Sequence, residues 1–370
     1  MELLRDTVVK IDLDKIGKNM DKIRDMVGPE VAVMPVIKAN GYGHGALGIA
    51  PTLMEHGAAY LAVATLTEAL ELRAAFPDDP LFILGHTPDR LLPLVVEKNI
   101  TQTLFSLHQA KLLGKAALAA GKTAKVHLKV DTGFHRLGIE DVEELAAICS
   151  TPGIEAEGIF SHLALTNDEE NLLQFQRLTA VIDALKQKGH TFKYQHIADS
   201  ISGVDYPEYR MNMIRPGALV FGLKGFHIRS LDVEQAITFE TRISQIHQIK
   251  AGEGVGYDYL WRAKADTRIA TLPFGYADGY PRNMRDKGYV TIRGVKCPII
   301  GVICMDQCMA DLSNVPDAQE GDLAIIYGTG EGNTMDIPEA ASLGGTNKNE
   351  IVCRLTRRPP RIYIKNGKEL

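Results

Sequence analysis

The 370-residue sequence predicts an α/β protein, a closed TIM-like (β/α)8 barrel followed by a mainly β C-terminal domain. Over residues 1–230, short β-rich runs alternate with longer amphipathic segments, a pattern typical of βαβ units and a parallel sheet. After residue 230, β-rich runs follow one another with glycine turns between them. The length also exceeds the roughly 250 to 300 residues that a single core usually supports. We therefore expect two domains, residues 1–230 and residues 231–370.

Eight β-rich runs carry the barrel prediction. They span residues 31–38, 59–64, 80–85, 100–105, 125–130, 154–161, 193–198 and 213–222. The clearest intervening helix covers residues 167–189. Asn167 is its expected cap, Gly189 its expected end, and its apolar face comprises Leu172, Phe175, Leu178, Ile182 and Leu185. Eight units in this length fit a closed barrel better than an open sheet, and a barrel has its active site at the C-terminal ends of its strands.

The second domain is predicted from four further β-rich runs. These runs cover residues 236–249, 267–273, 289–305 and 322–328. Few helical intervals separate them, so we expect a sheet-rich domain.

Composition limits the partners. The chain has 41 basic and 46 acidic residues and a net charge of −5, with no basic stripe, which argues against nucleic acid or an anionic membrane and for a small ligand. The N-terminus lacks a secretory signal and no apolar run approaches about 18 residues, so we expect a cytoplasmic protein. Five cysteines, an odd number, indicate reduced thiols. Cys304 and Cys308 have no second ligand pair, so no metal is expected.

Lys38 follows the first β-rich run, in "VIKANGYGHG". The ends of later runs supply further polar residues, namely Lys129, Arg136, His162, His196, Ser200, Arg215 and Gly217. A lysine able to form a Schiff base, a phosphate-compatible loop and an arginine for a ring nitrogen match the requirements of pyridoxal 5'-phosphate. His196 by itself is read as a packing residue.

A dinucleotide site is the alternative interpretation of the glycine-rich loop. Residues 43–48, "GHGALG", fit G-x-G-x-x-G, and Glu68 lies where a ribose-binding acid is expected in an NAD-dependent dehydrogenase. Such a site has no use for Lys38 and Tyr42, and the strand count favours a barrel.

The chain resembles the alanine racemase family almost from end to end. The shared motifs, in order, are "VIKANGYGHG", "KVDTGFHRLG", "SHLA", "IRPGALVFG", "VGYDY", "GYADGY", "CMDQ" and "TNKNEIVCR". The resemblance implies a pyridoxal-phosphate-dependent isomerase, a homodimer with shared active sites, that interconverts L-alanine and D-alanine and supplies D-alanine for peptidoglycan. A non-catalytic carrier of the cofactor would have no use for Tyr257 or for the second domain.

The resemblance assigns the catalytic residues. Lys38 holds the cofactor and is one base, and Tyr257 of the partner subunit is the other. Inverting an α-carbon requires one group on each of its faces. The ordinary pKa of tyrosine is about 10, so Tyr257 needs a nearby positive charge, such as that of Arg215 or His162, to act as a base. Arg215 can only donate, so a pyridine nitrogen facing it stays unprotonated, which favours racemisation over transamination.

The remaining assignments concern binding. By resemblance, His162 lies behind Arg215, and the phosphate contacts are Tyr42, Ser200 and Gly217. The substrate carboxylate is held by Arg136 and the backbone at Met305. Lys129 matches a lysine that is carbamylated in some members and orients Arg136, or else it is uncarbamylated and paired with an acid such as Asp131.

One position departs from the family pattern. Aligning "CRLTRRPPRIY" on Cys353 and Arg361 places Arg357 where many members have a tyrosine that contacts the phosphate and narrows the site. Arg357 is therefore expected to bind the phosphate and to leave a wider pocket. On that interpretation L-serine is a secondary substrate, and a racemase of serine or broader specificity is the alternative function.

Overall fold

A computed structural model of the protein describes residues 4–223 and 231–370. The predicted domain boundary at residues 230 and 231 falls at the edge of residues 224–230, which lie outside the described residues. Among the helices described, none has the length and apolar character that crossing a bilayer requires.

Nine strands lie in residues 4–223, and eight of them form the barrel. They are β1 (Val8–Asp12), β2 (Ala32–Val33), β3 (Leu61–Val63), β4 (Leu81–Ile83), β5 (Thr101–Leu104), β6 (Ala124–Lys129), β7 (Ile154–Phe160), β8 (Tyr194–His196) and β9 (Met213–Ile214). Strands β3 to β8 pair in order, all parallel, and β2 pairs in parallel with β9. Every residue of β3, β4 and β5 is buried, as expected for a sheet covered by helices.

The β2–β9 pair closes the barrel. On one side, Val36 forms a parallel bridge with Ala62 at the edge of β3. On the other side, the Arg215 N–H donates to the Ala198 carbonyl at 3.0 Å. The predicted closed eight-stranded barrel is confirmed.

Helices cover the barrel strands. They are α1 (Leu13–Val27), α2 (Lys38–Tyr42), α3 (Ala46–Glu55), α4 (Leu66–Ala75), α5 (Leu92–Glu97), α6 (Leu107–Ala119), α7 (Val142–Cys149), α8 (Asp168–Gln187) and α9 (Ser200–Asp205). In α8 the predicted cap is present, since the Asn167 side chain accepts from the Glu170 N–H at 2.9 Å. The predicted face is wrong at Leu172, which is 45% exposed, because buried Gln174 turns inward and accepts from the Ala164 N–H at 2.8 Å.

The second domain is built on a ten-stranded sheet. Its further strands are β10 (Ile237–Arg242), β11 (Gln245–Ile249), β12 (Gly254–Val255), β13 (Trp261–Arg262), β14 (Thr267–Leu272), β15 (Tyr289–Ile292), β16 (Val295–Ile300), β17 (Cys308–Asp311), β18 (Leu323–Tyr327), β19 (Arg361–Lys365) and β20 (Lys368–Glu369). The sheet order is β11-β14-β17-β16-β15-β18-β10-β1-β19-β20, with β12 and β13 forming a separate pair. Two helices, α10 (Ile337–Gly344) and α11 (Lys348–Cys353), precede β19.

Strand β1 belongs to this sheet and not to the barrel. It pairs antiparallel with β10 and parallel with β19. The start of the chain therefore differs from the prediction that residues 1–230 form the barrel domain, because the pairing partners of β1 lie more than two hundred residues away along the chain and leave no local signal.

Candidate active site

A cavity of about 380 Å³ opens at the C-terminal ends of the barrel strands. It brings together eight of the predicted site residues, namely Lys38, Tyr42, Lys129, Arg136, His162, Ser200, Arg215 and Gly217. In a parallel barrel every strand points the same way, so residues that follow different strands meet at one rim. Of the described residues that line the cavity, Asp199 alone is acidic. The cavity is therefore suited to an anionic ligand.

Lys38 projects from a strained turn. The residues after it, Ala39, Asn40, Gly41 and Tyr42, have φ values of 52°, 53°, 64° and 51°. Only glycine adopts this left-handed conformation readily, and each other residue costs about 1–2 kcal/mol there. Part of that strain is offset by the Asn40 side chain, which accepts from the Ala46 N–H at 2.9 Å. The turn directs the chain away from Lys38 immediately after the strand.

The side chain of Lys38 has a lowered pKa. Burial is the main cause, and the positive charge of Arg136 adds to it. An amine that loses its proton more readily is a better nucleophile and a better base. Lys38 thus has the electrostatic setting that a covalent and proton-transferring lysine requires.

The glycines of "GHGALG" serve packing against the C-terminal segment. A Cβ added at Gly43 would lie 2.1 Å from the Val352 carbonyl oxygen, and one at Gly48 would lie 2.0 Å from the Tyr363 ring. Glu68 accepts hydrogen bonds from the Ala39 N–H at 2.6 Å and the Ala64 N–H at 2.9 Å. The C-terminal segment fills the space beside these glycines, and backbone amides already engage the Glu68 carboxylate. The loop therefore has neither the room nor the free acid that a dinucleotide would need.

Arg215 is buried and surrounded by neutral acceptors. Its Nη2 donates to the Ser161 carbonyl at 2.9 Å, and its Nη1 donates to His196 Nδ1 at 2.6 Å. Its Nη2 also lies 3.4 Å from His162 Nδ1. Burial lowers its pKa to about 10, so the guanidinium remains charged at neutral pH. The cation is held in one orientation by groups that cannot protonate a ligand.

His196 does more than pack. Its ring stacks on Phe160 with centroids 4.7 Å apart, and its Nε2 lies 2.8 Å from His127 Nδ1. Because Arg215 can only donate, His196 Nδ1 accepts, so the hydrogen of the neutral ring is on Nε2 and is donated to His127. Burial lowers the pKa of both rings and keeps them neutral. Sequence reasoning missed His127, which lies inside strand β6 with no motif of its own.

His162 is also neutral. Burial, and next the charge of Arg215, lower its pKa to about 3. It therefore supplies no positive charge to a tyrosine, which corrects one of the two sources of charge predicted for Tyr257. Arg215 remains as the source.

Ser200, Gly217 and Tyr42 form the other end of the cavity. The Gly217 N–H donates to Ser200 Oγ at 2.8 Å, and a Cβ at Gly217 would lie 2.5 Å from Tyr42 Oη. Burial raises the pKa of Tyr42, so its hydroxyl keeps its proton and can donate. The Ser200 and Tyr42 hydroxyls can both donate to a phosphate, and the lack of a side chain at Gly217 leaves room beside them. With Lys38 and Arg215, this donor set fits pyridoxal 5'-phosphate.

Lys129 is 6% exposed, with its Nζ 4.5 Å from the centroid of the Phe160 ring. Burial lowers its pKa well below the ordinary value, and the charges of Arg215 and Arg136 lower it further. Asp131 is engaged elsewhere, since its carboxylate accepts from the Gly133 N–H at 2.9 Å. A lowered pKa makes the neutral amine easier to reach, and the neutral amine is the form that reacts with carbon dioxide.

Tyr257 and Met305 lie apart from this cavity. Tyr257 is 65% exposed and Met305 is 53% exposed. Together with Tyr276 they line a depression of about 480 Å³ on the second domain. A single chain does not bring them to Lys38.

Arg357 does not reach the cavity either, which corrects the expectation that it contacts the phosphate. Its side chain is 81% exposed and lies 3.4 Å from the Glu71 carboxylate. The C-terminal segment instead lines the cavity with Lys348 and Asn349, at the start of α11. Sequence reasoning quoted "TNKNEIVCR" as a motif but did not assign these two residues. The cap at Asn347, three residues before Glu350, was the available sign that a helix starts there.

Comparison with known proteins matches both domains. The family description "Alanine racemase, N-terminal domain" matches residues 11–225, and "Alanine racemase, C-terminal domain" matches residues 236–363. The alanine racemase of Clostridium tetani is 38% identical over 376 residues, covering 98% of this chain and 97% of the relative. That of Desulfovibrio desulfuricans is 40% identical over 365 residues, covering 96% and 97%.

Solved structures show the same similarity. Alanine racemase from Bacillus anthracis with bound L-Ala-P superposes with a TM-score of 0.94 at 31% identity, covering 100% of this chain and 98% of the other. Alanine racemase from Clostridium difficile in complex with cycloserine gives a TM-score of 0.92 at 30% identity, with the same coverage.

Proposed function

This chain belongs to the alanine racemase family, and from that premise we propose that Lys38 and Tyr257 are the two bases of an active site shared between two subunits. The protein is a pyridoxal-phosphate-dependent isomerase that interconverts L-alanine and D-alanine, which supplies D-alanine for peptidoglycan. The observation that carries the assignment of residues is the convergence of Lys38, Arg215, Ser200 and Gly217 on one cavity. We expect the reaction to take place in the cytoplasm.

Lys38 is assigned to the cofactor and to one face of the substrate. When bound, pyridoxal phosphate withdraws electrons from an attached amino acid and so acidifies its Cα–H bond. The lowered pKa of Lys38 leaves its amine able to take that proton, and its position at the strand end directs it into the cavity.

Tyr257 is assigned to the opposite face. Racemisation requires a second group that returns a proton from the other side of the carbon. In one chain the Tyr257 ring is largely exposed, on a face shared with Tyr276 and Met305. A second copy that packs this face against the barrel mouth supplies the base and, through the Met305 backbone, a donor for the substrate carboxylate.

Arg215 is assigned to the pyridine nitrogen. Its donors to Ser161 and His196 leave the guanidinium fixed, and it has no proton to release near neutral pH. Arg215 would therefore leave a bound pyridine nitrogen without a proton, which would make the ring a weaker electron sink and favour return of the proton to Cα.

The other cavity residues are assigned to binding. Tyr42, Ser200 and Gly217 hold the phosphate, and Arg136 holds the substrate carboxylate. Carbamylation of Lys129 replaces its amine with an anionic carbamate that pairs with Arg136 and orients it.

Mixing two inactive variants tests the shared site. Lys38→Ala and Tyr257→Ala chains are each expected to be inactive, and random exchange of subunits restores one intact site in each heterodimer, or about a quarter of wild-type activity. Tyr259→Ala, at an exposed neighbour of Tyr257, is the control and stays active by itself. No recovered activity after subunit exchange verified by mass spectrometry would contradict a shared site.

Chemical labelling tests Lys38 directly. Reduction with borohydride fixes the cofactor to the amine that holds it, and peptide sequencing is expected to find the label on Lys38. A label on Lys129 or Lys348 would overturn the assignment.

A further inference from the structure

We propose that Lys348 is a phosphate-binding residue of the cofactor site, adding a charged donor to the group formed by Tyr42, Ser200 and Gly217. The inference rests on the proposed function and extends it to a residue at the start of α11 that sequence reasoning did not assign. Lys348 is then the cation that the C-terminal segment contributes to the phosphate, the role that the sequence predicted for Arg357.

A short series of hydrogen bonds connects Lys348 to the phosphate end of the cavity. Lys348 Nζ donates to the Leu223 carbonyl at 2.7 Å. The Leu223 N–H donates to the Ala218 carbonyl at 3.1 Å. Ala218 follows Gly217, whose N–H donates to Ser200 Oγ. The ammonium is thereby fixed to the segment that carries the phosphate donors, and it lines the same cavity.

The described residues satisfy only part of the hydrogen-bonding capacity of the Lys348 ammonium. An ammonium has three donors, and the Leu223 carbonyl takes one of them. Asp199 is the one carboxylate whose charge raises the pKa of Lys348, but its Oδ1 already accepts from the Ile201 and Ser202 N–H groups at 3.0 Å each. Within residues 4–223 and 231–370, Lys348 forms no ion pair within 4.0 Å. A phosphate beside Ser200 would complete its coordination.

Burial makes an anionic partner favourable for the Lys348 amine. It lowers the pKa of Lys348 to about 8, because the charged form is held away from water. A dianionic phosphate nearby favours the charged form of the amine and so raises the pKa that burial lowers. Lys38 and Lys129 line the same cavity but have other assigned tasks, so Lys348 is the lysine available for this end.

A structural role makes a different prediction. If Lys348 served only to hold the Leu223 carbonyl, and through it the segment of Gly217, a neutral side chain that still donates to Leu223 would keep the affinity for pyridoxal phosphate. If Lys348 binds the phosphate, loss of its charge weakens binding of pyridoxal phosphate even where that donor is kept. Pyridoxal, which lacks the phosphate, reports any wider damage to the site.

The experiment titrates apoprotein with pyridoxal phosphate and with pyridoxal, following the visible absorption band. In Lys348→Met the dissociation constant for pyridoxal phosphate is expected to rise about 10- to 100-fold, the range for loss of one charged hydrogen bond, and that for pyridoxal to stay within about twofold. Lys348→Gln keeps a donor for Leu223 without the charge and is expected to behave like Lys348→Met. Lys348→Arg keeps the charge and is expected to retain most of the affinity.

Arg357→Met is the matched control, a cation of the same C-terminal segment outside the cavity, and it is expected to change neither constant. Equal weakening of both compounds in Lys348→Gln, or no weakening of either, would overturn the proposal. Failure of wild-type apoprotein to bind pyridoxal phosphate at all would instead contradict the proposed function.

Discussion

The barrel mouth and the exposed face of the second domain differ in how far one chain buries and fixes their side chains. At the barrel mouth, Arg215 and Lys129 are almost fully buried, and Arg215 is held by hydrogen bonds of defined geometry. On the second domain, Tyr257 and Met305 are mostly exposed. One chain therefore builds the proposed cofactor half of the site, whereas the proposed second base and carboxylate donor stay exposed on the second domain.

The two regions also differ in what sets the reactivity of their side chains. The barrel residues acquire their shifted pKa values from the fold of a single chain, since burial is the first cause at Lys38, Lys129 and His162. Tyr257 is expected to acquire its reactivity only on assembly, when it approaches Arg215 of the other subunit.

The largest effect is expected from Tyr257→Phe, which removes one base and leaves the cofactor half intact. Racemisation is expected to fall by about 10³- to 10⁴-fold, at the upper end of what one acid–base group supplies. Lys38 still reaches one face, so one enantiomer of alanine should continue to exchange its α-hydrogen with deuterated water, as measured by NMR. Tyr259→Phe is the control. Exchange lost equally from both enantiomers would contradict two independent bases.

The second effect is a loss of folding stability at acidic pH, caused by buried histidines of the barrel domain. The ordinary pKa of histidine is about 6.5. Burial lowers the pKa of His44 to about 4 and of His127 to about 3, and lowers that of His196 strongly. Below pH 6.5 the unfolded chain binds protons that the folded chain does not. The free energy of unfolding should therefore fall with pH, by up to about 1.4 kcal/mol per unit for each histidine, down to about pH 4.

Urea unfolding at several pH values between 7.5 and 5 measures this slope. His127→Gln is expected to reduce it by about one proton. His247→Gln, which changes an exposed histidine of the second domain, is expected to leave it unchanged. A slope equal in wild type and His127→Gln would show that this ring is not kept neutral by the fold.

A smaller effect is expected from Arg215→Glu, which replaces a fixed donor with a group that can share a proton with the ring nitrogen. Racemisation should slow by about 10²-fold, as for loss of one preorganised electrostatic contact. Formation of pyruvate and pyridoxamine phosphate per turnover should rise, because the carbanion is longer-lived. Arg215→Lys, which keeps the charge, should slow the reaction without raising the side reaction. Slower racemisation with no more pyruvate from the glutamate variant would refute the argument.

The smallest effect is expected from Arg357→Tyr. The side chain lies outside the cavity beside Glu71, so the ratio of kcat/KM for L-alanine and L-serine should stay within about twofold. Asn349→Ala, which alters a side chain that lines the cavity, is the comparison and should change the ratio by up to about tenfold. A sharper preference for alanine in Arg357→Tyr would restore the wider-pocket interpretation.

Sequence reasoning predicted the barrel and the residues at its rim because both follow from local patterns. Strand ends in a parallel barrel share one face, so Lys38, Lys129 and Arg215 could be grouped without coordinates. The contribution of Lys348 depends on where α11 packs, and the direction of Arg357 depends on its contact with Glu71. Neither leaves a periodic signal. Gly43 and Gly48 are visible in the sequence, but the reason that these positions require glycine is not. Val352 and Tyr363, from a distant part of the chain, pack against them.

Strand β1 gives the molecule a particular order of completion during synthesis. One of its two neighbours, β10, is made more than two hundred residues after it, and the other, β19, is made later still. The barrel strands have all of their partners by residue 214, so they can pair while the second domain is still being made. A chain that terminates before residue 361 has a barrel but leaves one edge of β1 unpaired, and open strand edges favour aggregation and proteolysis. The sheet of the second domain is therefore complete only once β19 has been made, long after the barrel has all of its strands.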